Sequence, residues 1–324
     1  MPPLSHAGRL PLALLLFLLA LGASAQSSRE TGYDLLRLEP SARAAALAGT
    51  VASVSSDDPA AVFYNPALLV PAMHRGLSVG YLNHLGDVNA GFVSYARTLD
   101  AWGTFSAGVR FLSYGEFERA EDDGTADGST YGAGEAALSV SYAADLAPNL
   151  RGGVTAHTLF AWLDDADGQA LAADLGIHYH LPDQRLGLSA SLHGLGAPLS
   201  SLGAESDRLP LDLRLGVSKG LQYIPLTLSV VGYDLHDYGG EGSALDEALR
   251  HVAVGGEFQF GEAVRVRLGY NPGRHEELST GGRLDLAGLS AGFGLHLARV
   301  GFDYAFNSWS EIGGLHQLSV RTRL

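Results

Sequence analysis

The sequence predicts an all-β fold: a transmembrane antiparallel β-barrel of about fourteen strands with a short N-terminal helical hatch in its lumen. Three observations lead there. Apolar residues alternate with polar or small ones in segment after segment from Gly76 to Leu324, Gly, Asp, Asn and Pro punctuate the segments, and a secretory leader precedes them all.

The leader comprises residues 1–25: a positive start at Arg9, an apolar run from Leu10 to Leu21, and Ala23-Ser24-Ala25 as cleavage site, which makes Gln26 the mature N-terminus. The run is too short to span a bilayer, and no later stretch holds eighteen consecutive apolar residues. Passage through lipid then requires a closed barrel, in which every backbone group is bonded within the sheet. The expected location is the outer membrane of a diderm bacterium, reached by Sec-type export, with membrane lipid as partner.

Residues 26–75 lack the two-residue period and are expected to form the hatch. Ser41-Ala-Arg-Ala-Ala-Ala-Leu-Ala48 followed by Gly49 reads as one short helix with its C-terminal glycine. Asp58-Pro59 reads as an N-cap and first helical residue leading into Ala60 to Tyr64, and Asn65-Pro66 as the turn that breaks that helix before the barrel begins. The segment is too apolar to hang in water and too short for a domain, so a barrel lumen is where it fits.

The barrel proper, residues 76–324, is expected to use strands near 76–84, 88–98, 103–114, 131–145, 150–163, 170–181, 185–194, 209–219, 224–235, 250–260, 263–270, 288–297, 299–307 and 314–324. Residues 281–286 are assigned to an extension of the strand after them, since a fifteenth strand would break the even count of bacterial barrels. Alternation sets the faces. Leu171, Leu175, Ile177 and Tyr179 oppose Ala172, Asp174, His178 and His180. Val264, Val266 and Leu268 likewise oppose Arg265 and Arg267. Turns at 99–102, 146–149, 182–184 and 261–262 are short. Connections at 115–130, 195–208, 236–249 and 271–287 are long and are expected to face the cell exterior.

Composition excludes several functions. With no cysteine, neither disulfides nor thiolate chemistry are available. The formal charge is −14, and losing Arg9 with the leader leaves 20 basic against 35 acidic side chains, a sign that disfavours nucleic acid. No Gly-x-Ser-x-Gly element or singled-out Ser/His pair marks a hydrolase, so no enzyme activity and no cofactor are predicted.

The candidate functional residues fall into two groups. Ser41, Arg43, Asp58, Asn65, Pro66 and Ala67 would fix the hatch or gate it, and the architectural role, capped helices and a tight turn, is preferred over recognition. Arg110, Asp174, His178, His180, Asp212, Arg214, Glu257, Arg265, Arg267 and Asp303 would line the lumen. Buried charges there must pair, and ion-pair networks around a plug account for them as well as a selectivity filter does. His178 and His180 have the spacing to share a metal with Asp174, but no further ligand cluster follows, so polar lining is preferred. Asp164-Asp-Ala-Asp-Gly168 begins like a calcium loop without its closing Glu and reads as a hairpin tip.

The stretch Ala48 to Ala67, ending in Phe63-Tyr-Asn-Pro-Ala67, resembles the hatch signature of the FadL-like barrel superfamily. Pro40 to Gly49, Asn65-Pro-Ala-Leu-Leu69, Gly103 to Phe117 and Ala287 to Leu295 resemble, in order and spacing, the PorV/PorQ family of outer-membrane barrels of type IX secretion. That resemblance implies a component or accessory of type IX secretion. It would engage secretion components, or secreted proteins with C-terminal sorting domains, through its outer loops. The alternative is a FadL-like passive channel for small hydrophobic molecules, which draws attention to Phe63, Leu68, Leu69 and Met73. The mostly polar lumen-facing set counts against that alternative.

Overall fold

The computed structural model describes residues 33–83, 86–100, 102–120, 126–202, 208–237, 248–280, 285–309 and 313–324. The predicted leader lies outside the described residues. Fourteen antiparallel strands close into one barrel, each bonded to its sequence neighbours, with the last returning to the first. They are β1 Gly76–Asn83, β2 Asn89–Leu99, β3 Gly103–Ala120, β4 Ala126–Ala147, β5 Leu150–Leu163, β6 Ala166–Leu181 and β7 Leu186–Ser200, followed by β8 Asp212–Gly220, β9 Leu226–Gly232, β10 Val252–Phe260, β11 Val264–Tyr270, β12 Leu289–Leu297, β13 Val300–Ser308 and β14 Gly314–Arg323. Closure pairs Gly76 with Arg323 through to Asn83 with His316.

Alternation explains why this sequence makes a wall with two chemistries. Outward residues such as Val79, Val93, Val109, Leu138, Val140, Leu215, Leu228 and Leu268 stay exposed, as the apolar band that lipid would cover. Inward residues are small hydroxyls or paired charges: Ser78, Ser94, Ser106, Ser139, Ser141, Thr155, Ser191, Ser218, Ser229 and Ser319 are all buried. Tyr81, Trp102, Tyr179 and Tyr223 are exposed near strand ends, where an aromatic girdle belongs.

Several expectations need correction. The described part of the stretch 115–130 is strand rather than loop: β3 runs on to Ala120 and β4 starts at Ala126, with Glu116, Phe117 and Glu118 paired to Gly132, Tyr131 and Thr130 across bulges that begin at Ser113. Beyond the lipid band both faces meet water, so ladder pairing continues where hydrophobic alternation stops. For the same reason β7 extends to Ser200, into the expected loop 195–208. Residues 285–288 precede β12 without joining it, so the expected strand extension at 281–286 is not formed there; 281–284 lie outside the described residues. The connection after β11 holds a helix, α2, Pro272–Leu278, capped by the Asn271 side chain on the Arg274 amide at 3.0 Å. Asp164 forms a tight hairpin tip at φ 54° and accepts from Arg119 at 2.6 Å.

Residues 33–75 fill the lumen. They enter at the long-loop end, where Glu135 accepts from the Asp34 and Leu35 amides at 3.2 and 2.8 Å. They leave at the short-turn end, where the Leu324 amide donates to Arg75 at 2.9 Å. Helix α1, Ala42–Ala46, is followed by 3-10 turns at Thr50–Ser53, Pro59–Phe63, Pro66–Leu68 and Pro71–Met73. The second hatch helix is thus 3-10 rather than α, because prolines interrupt the run every few residues.

Candidate functional site

The hatch is held by its own caps first. Ser41 Oγ accepts from the Ala44 amide at 3.3 Å, and Asp58 Oδ1 from the Ala60 amide at 2.9 Å. Asn65 does most. Its Oδ1 accepts from the Ala67 amide at 2.9 Å, while its amide nitrogen donates to the carbonyls of Ala52 and Ile177, each at 3.2 Å, joining two hatch segments to β6. Pro66 starts the turn that Asn65 caps, and Ala67 is fully buried.

Wall glycines receive it. Gly153 and Gly176 face each other across β5 and β6; a Cβ on the first would sit 2.4 Å from the Pro66 carbonyl carbon, and one on the second 2.0 Å from Asn65 Oδ1. Gly255 and Gly269, paired across β10 and β11, do the same beneath Thr50 and Leu47–Ala48, at 2.3 and 2.5 Å. These are two sockets that any side chain would close.

Charges tie the rest. Arg43 meets Glu257 through Nε and Nη2 at 3.1 and 3.2 Å; Glu257 also accepts from Arg267, which reaches Asp303 at 2.6 Å. Four of the predicted residues thus form one chain from hatch to wall. Arg265 stays outside it, at the short-turn rim, bonded to the carbonyls of Gly261 and Val264. His180 also lies near that rim, stacked on His178 with ring centroids 5.9 Å apart, while His178 Nε2 bonds Ser53 O at 3.1 Å.

The shared metal site of Asp174, His178 and His180 does not form. Asp174 is taken by other partners: His157 Nε2 at 2.9 Å, His193 Nδ1 at 3.1 Å and the Gly194 amide at 3.0 Å. His193-Gly194 is a β-bulge opposite Asp174, with Gly194 at φ 71°, and it turns two donors onto one carboxylate. No group of three His, Asp or Glu among the described residues fits a metal ion. His157 Nδ1 further bonds Ser139 Oγ at 2.8 Å. This Ser-His-Asp chain has a triad's connectivity, with Ser139 buried at 3% exposure.

Above the hatch lies a cavity of about 250 Å³, bounded by Leu36–Glu39, Phe63, Tyr64, the wall residues Arg110, Asp174, His193, Asp212 and Arg214, and the loop residues Tyr233, Asp234, Arg274 and Glu277. Most of its charges are paired. Arg214 bonds Asp212 at 2.5 Å, Asp212 also accepts from the Asp234 amide at 2.7 Å, and Arg274 meets Glu39 at 3.2 Å. At the loop rim, burial pushes the Tyr233 phenol up to about 12. Burial, followed by the Asp212 charge, raises Asp234 above the usual carboxylate range. Arg110, 3% exposed, lies over the Phe63 ring at 4.9 Å. Below the hatch, two open pockets of about 690 and 700 Å³ face the short-turn end.

The apolar residues do not form an open conduit. Leu68, Leu69 and Met73 are fully buried in a dry cluster with Phe63, Phe92 and Ala143; of the four residues the channel alternative singled out, Phe63 alone reaches the upper cavity. The inward face is also less polar than expected. Leu82, Ala90, Leu112, Ala137, Leu159 and Ala170 form an apolar patch on β1–β6, covered by Tyr33 and Leu35.

No protein-family model and no curated protein sequence matches this chain. Among solved structures, the fold is similar to a monoaromatic hydrocarbon channel, the TodX deltaS2S3 mutant. That match has a TM-score of 0.61 and 14% identity over 90% of this chain and 100% of the other. It is also similar to the Ralstonia pickettii toluene transporter TbuX, with a TM-score of 0.57 and 12% identity over 88% and 98% of the two chains. A Pseudomonas aeruginosa FadL homologue gives 0.52 and 12% over 88% and 98%. These likenesses are of fold: a closed antiparallel barrel of fourteen strands. The narrower likeness to the PorV/PorQ family is not carried by these neighbours.

Proposed function

We propose that this protein is a passive, non-enzymatic channel of the bacterial outer membrane for small, largely apolar molecules, closed in this conformation by its hatch. This reverses the order in which the sequence ranked the two functions. The observation that carries the reading is the placement of residues 33–75. They separate a cavity at the long-loop end from open pockets at the short-turn end, seated on glycine sockets and bonded to the wall through side chains such as Asn65 and Arg43. The neighbours of like fold are described as hydrocarbon channels and toluene transporters. The dry cluster around Leu68 and Leu69 would become a path when the hatch shifts. The test is initial uptake of radiolabelled toluene by cells lacking the gene and by the same cells carrying it. Uptake several times faster with the gene supports the reading, and equal rates in both sink it.

A second reading, an accessory of type IX secretion, rests on the resemblance of the sequence to the PorV/PorQ family and on the β3–β4 hairpin. That hairpin stands beyond the barrel body with Phe117 and Tyr131 stacked at 5.5 Å. Here the outer loops would engage secretion components, or cargo with C-terminal sorting domains. Surface proteomics after gene deletion separates the two, since loss of sorted cargo belongs to the second reading alone.

A further inference from the structure

We propose that Arg110 anchors a binding site for a small monocarboxylate, with a body no larger than one ring or a short chain, in the cavity above the hatch. This rests on the channel reading only for what the site is for.

Arg110 projects inward from β3 and is 3% exposed. Among the described residues it has no ion pair and no hydrogen bond, and its Nε is buried without a partner. Its guanidinium lies over the face of Phe63, 4.9 Å from the ring centroid. The other wall charges of the cavity are matched: Asp174 by His157, His193 and the Gly194 amide, Asp212 by Arg214. An arginine so deeply buried is ordinarily paired, because an uncompensated charge out of water is costly. The missing partner is therefore an anion that comes and goes.

The cavity narrows the choice. A guanidinium offers a planar fork that a carboxylate meets with two parallel bonds. One free cation balances one negative charge. A phosphate dianion would bring a second charge beside Asp174 and Asp212, which line the same space. The volume, about 250 Å³, lies below the range of about 300–1,000 Å³ typical of drug-sized ligands. Phe63, Val231 and Ala253 give the ligand's body an apolar wall. The site thus accepts a largely apolar molecule with an anionic head.

The test uses the full mature chain, folded in detergent, titrated calorimetrically with sodium benzoate, with benzamide as its neutral isostere and with inorganic phosphate. Benzoate is expected to bind saturably and at least about tenfold more tightly than either. Arg110→Gln should abolish the preference, whereas Arg110→Lys keeps it at reduced affinity, since an ammonium retains the charge and loses the fork. Folding of each variant is read from heat-modifiable electrophoretic mobility. Should Arg110→Gln not fold, the wild-type ratio and Arg110→Lys decide. Equal binding of benzoate and benzamide, tighter binding of phosphate, or a preference that survives in folded Arg110→Gln overturns the proposal. Toluene uptake keeps the two ideas apart: uptake without benzoate binding removes the anion site and leaves the channel, and binding without uptake does the reverse.

Discussion

Arg43, on the first hatch helix, and Glu257, on strand β10, meet in a two-bond ion pair that joins the plug to the wall, with side chains only 10% and 15% exposed. Glu257 is also held by Arg267, which is held by Asp303, so the hatch is fastened to a wall network complete enough to bear the charges without it. On the channel reading proposed above, such a pair would let the hatch detach while Glu257 keeps a partner. Removing Arg43 leaves no charge orphaned, as Glu257 keeps Arg267.

From this follows a graded prediction. Arg43→Ala should cost about 2 kcal/mol, below the usual cost of stranding a buried charge, because Glu257 retains one partner. Arg267→Ala should cost more, since it takes a partner from Glu257, which keeps Arg43, and at the same time the arginine from Asp303, which keeps only His296 at 3.8 Å. Urea unfolding followed by tryptophan fluorescence gives the order. In planar bilayers Arg43→Ala is expected to show more frequent openings than wild type, and an identical conductance record would mean that this pair does not hold the hatch.

The chain has no cysteine, which makes the hatch easy to lock. The hydroxyls of Thr50 in the hatch and Ser229 on β9 stand 2.7 Å apart, both buried, which marks this pair for replacement by cysteine. In the double variant Thr50→Cys, Ser229→Cys, oxidation should stop toluene uptake and reductant should restore it. Uptake indifferent to oxidation, with the bond confirmed by mass spectrometry, would show that this part of the hatch does not move.

How far the sequence revealed these parts depends on how local their physics is. Each of the fourteen strands was legible where it crosses lipid, because a bilayer enforces a period of two; Leu171 to Tyr179 declare their faces without help. The caps at Asp58 and Asn65 were legible too, since each is a side chain bonding its own backbone two residues on; the cap at Ser41 was read as part of the helix it starts. The β3–β4 extension was not, because outside lipid Glu116 to Glu118 obey pairing alone. Nor was the cavity, which depends on which inward residues of separate strands share a height. His157 could have been found by parity on β5. So could His193, which is in step with Ser189 and Ser191 on β7; its approach to Asp174 was not legible, because that depends on the bulge at Gly194, whose signal is a glycine among many.

Asn65 provides a test of the hatch turn. Its carboxamide accepts from one amide and donates to two carbonyls. Asn65→Ala should cost about 2 kcal/mol, from a lost cap and two stranded carbonyls. Asn65→Asp should be worse despite its closer shape. A carboxylate still accepts from Ala67 but sets negative charge against the oxygens of Ala52 and Ile177. Protease cleavage within residues 33–75, scored on the folded barrel, should rise from wild type through Asn65→Ala to Asn65→Asp. The reverse order for the two variants would show that the amide donors do no work.

Asp234, at the rim of the upper cavity, carries a prediction about pH. Its folded value is raised, by burial first and by Asp212 second, against the pull of Arg37 and Arg214. A carboxyl more basic in the folded state binds its proton more tightly there. Its favourable contribution is complete below the unfolded value of about 3.9 and is lost as pH climbs through the raised one. At neutral pH the ionised form is therefore a liability. Asp234→Asn should raise the melting temperature at pH 7 and leave it nearly unchanged at pH 3.5, flattening the dependence between. Asparagine also suits the backbone, which at φ 50° is left-handed there. Melting followed by heat-modifiable mobility across that range checks it, and a variant less stable than wild type at pH 7 would mean that the ionised Asp234 makes a favourable contact with Arg37 or Arg214 that outweighs its burial.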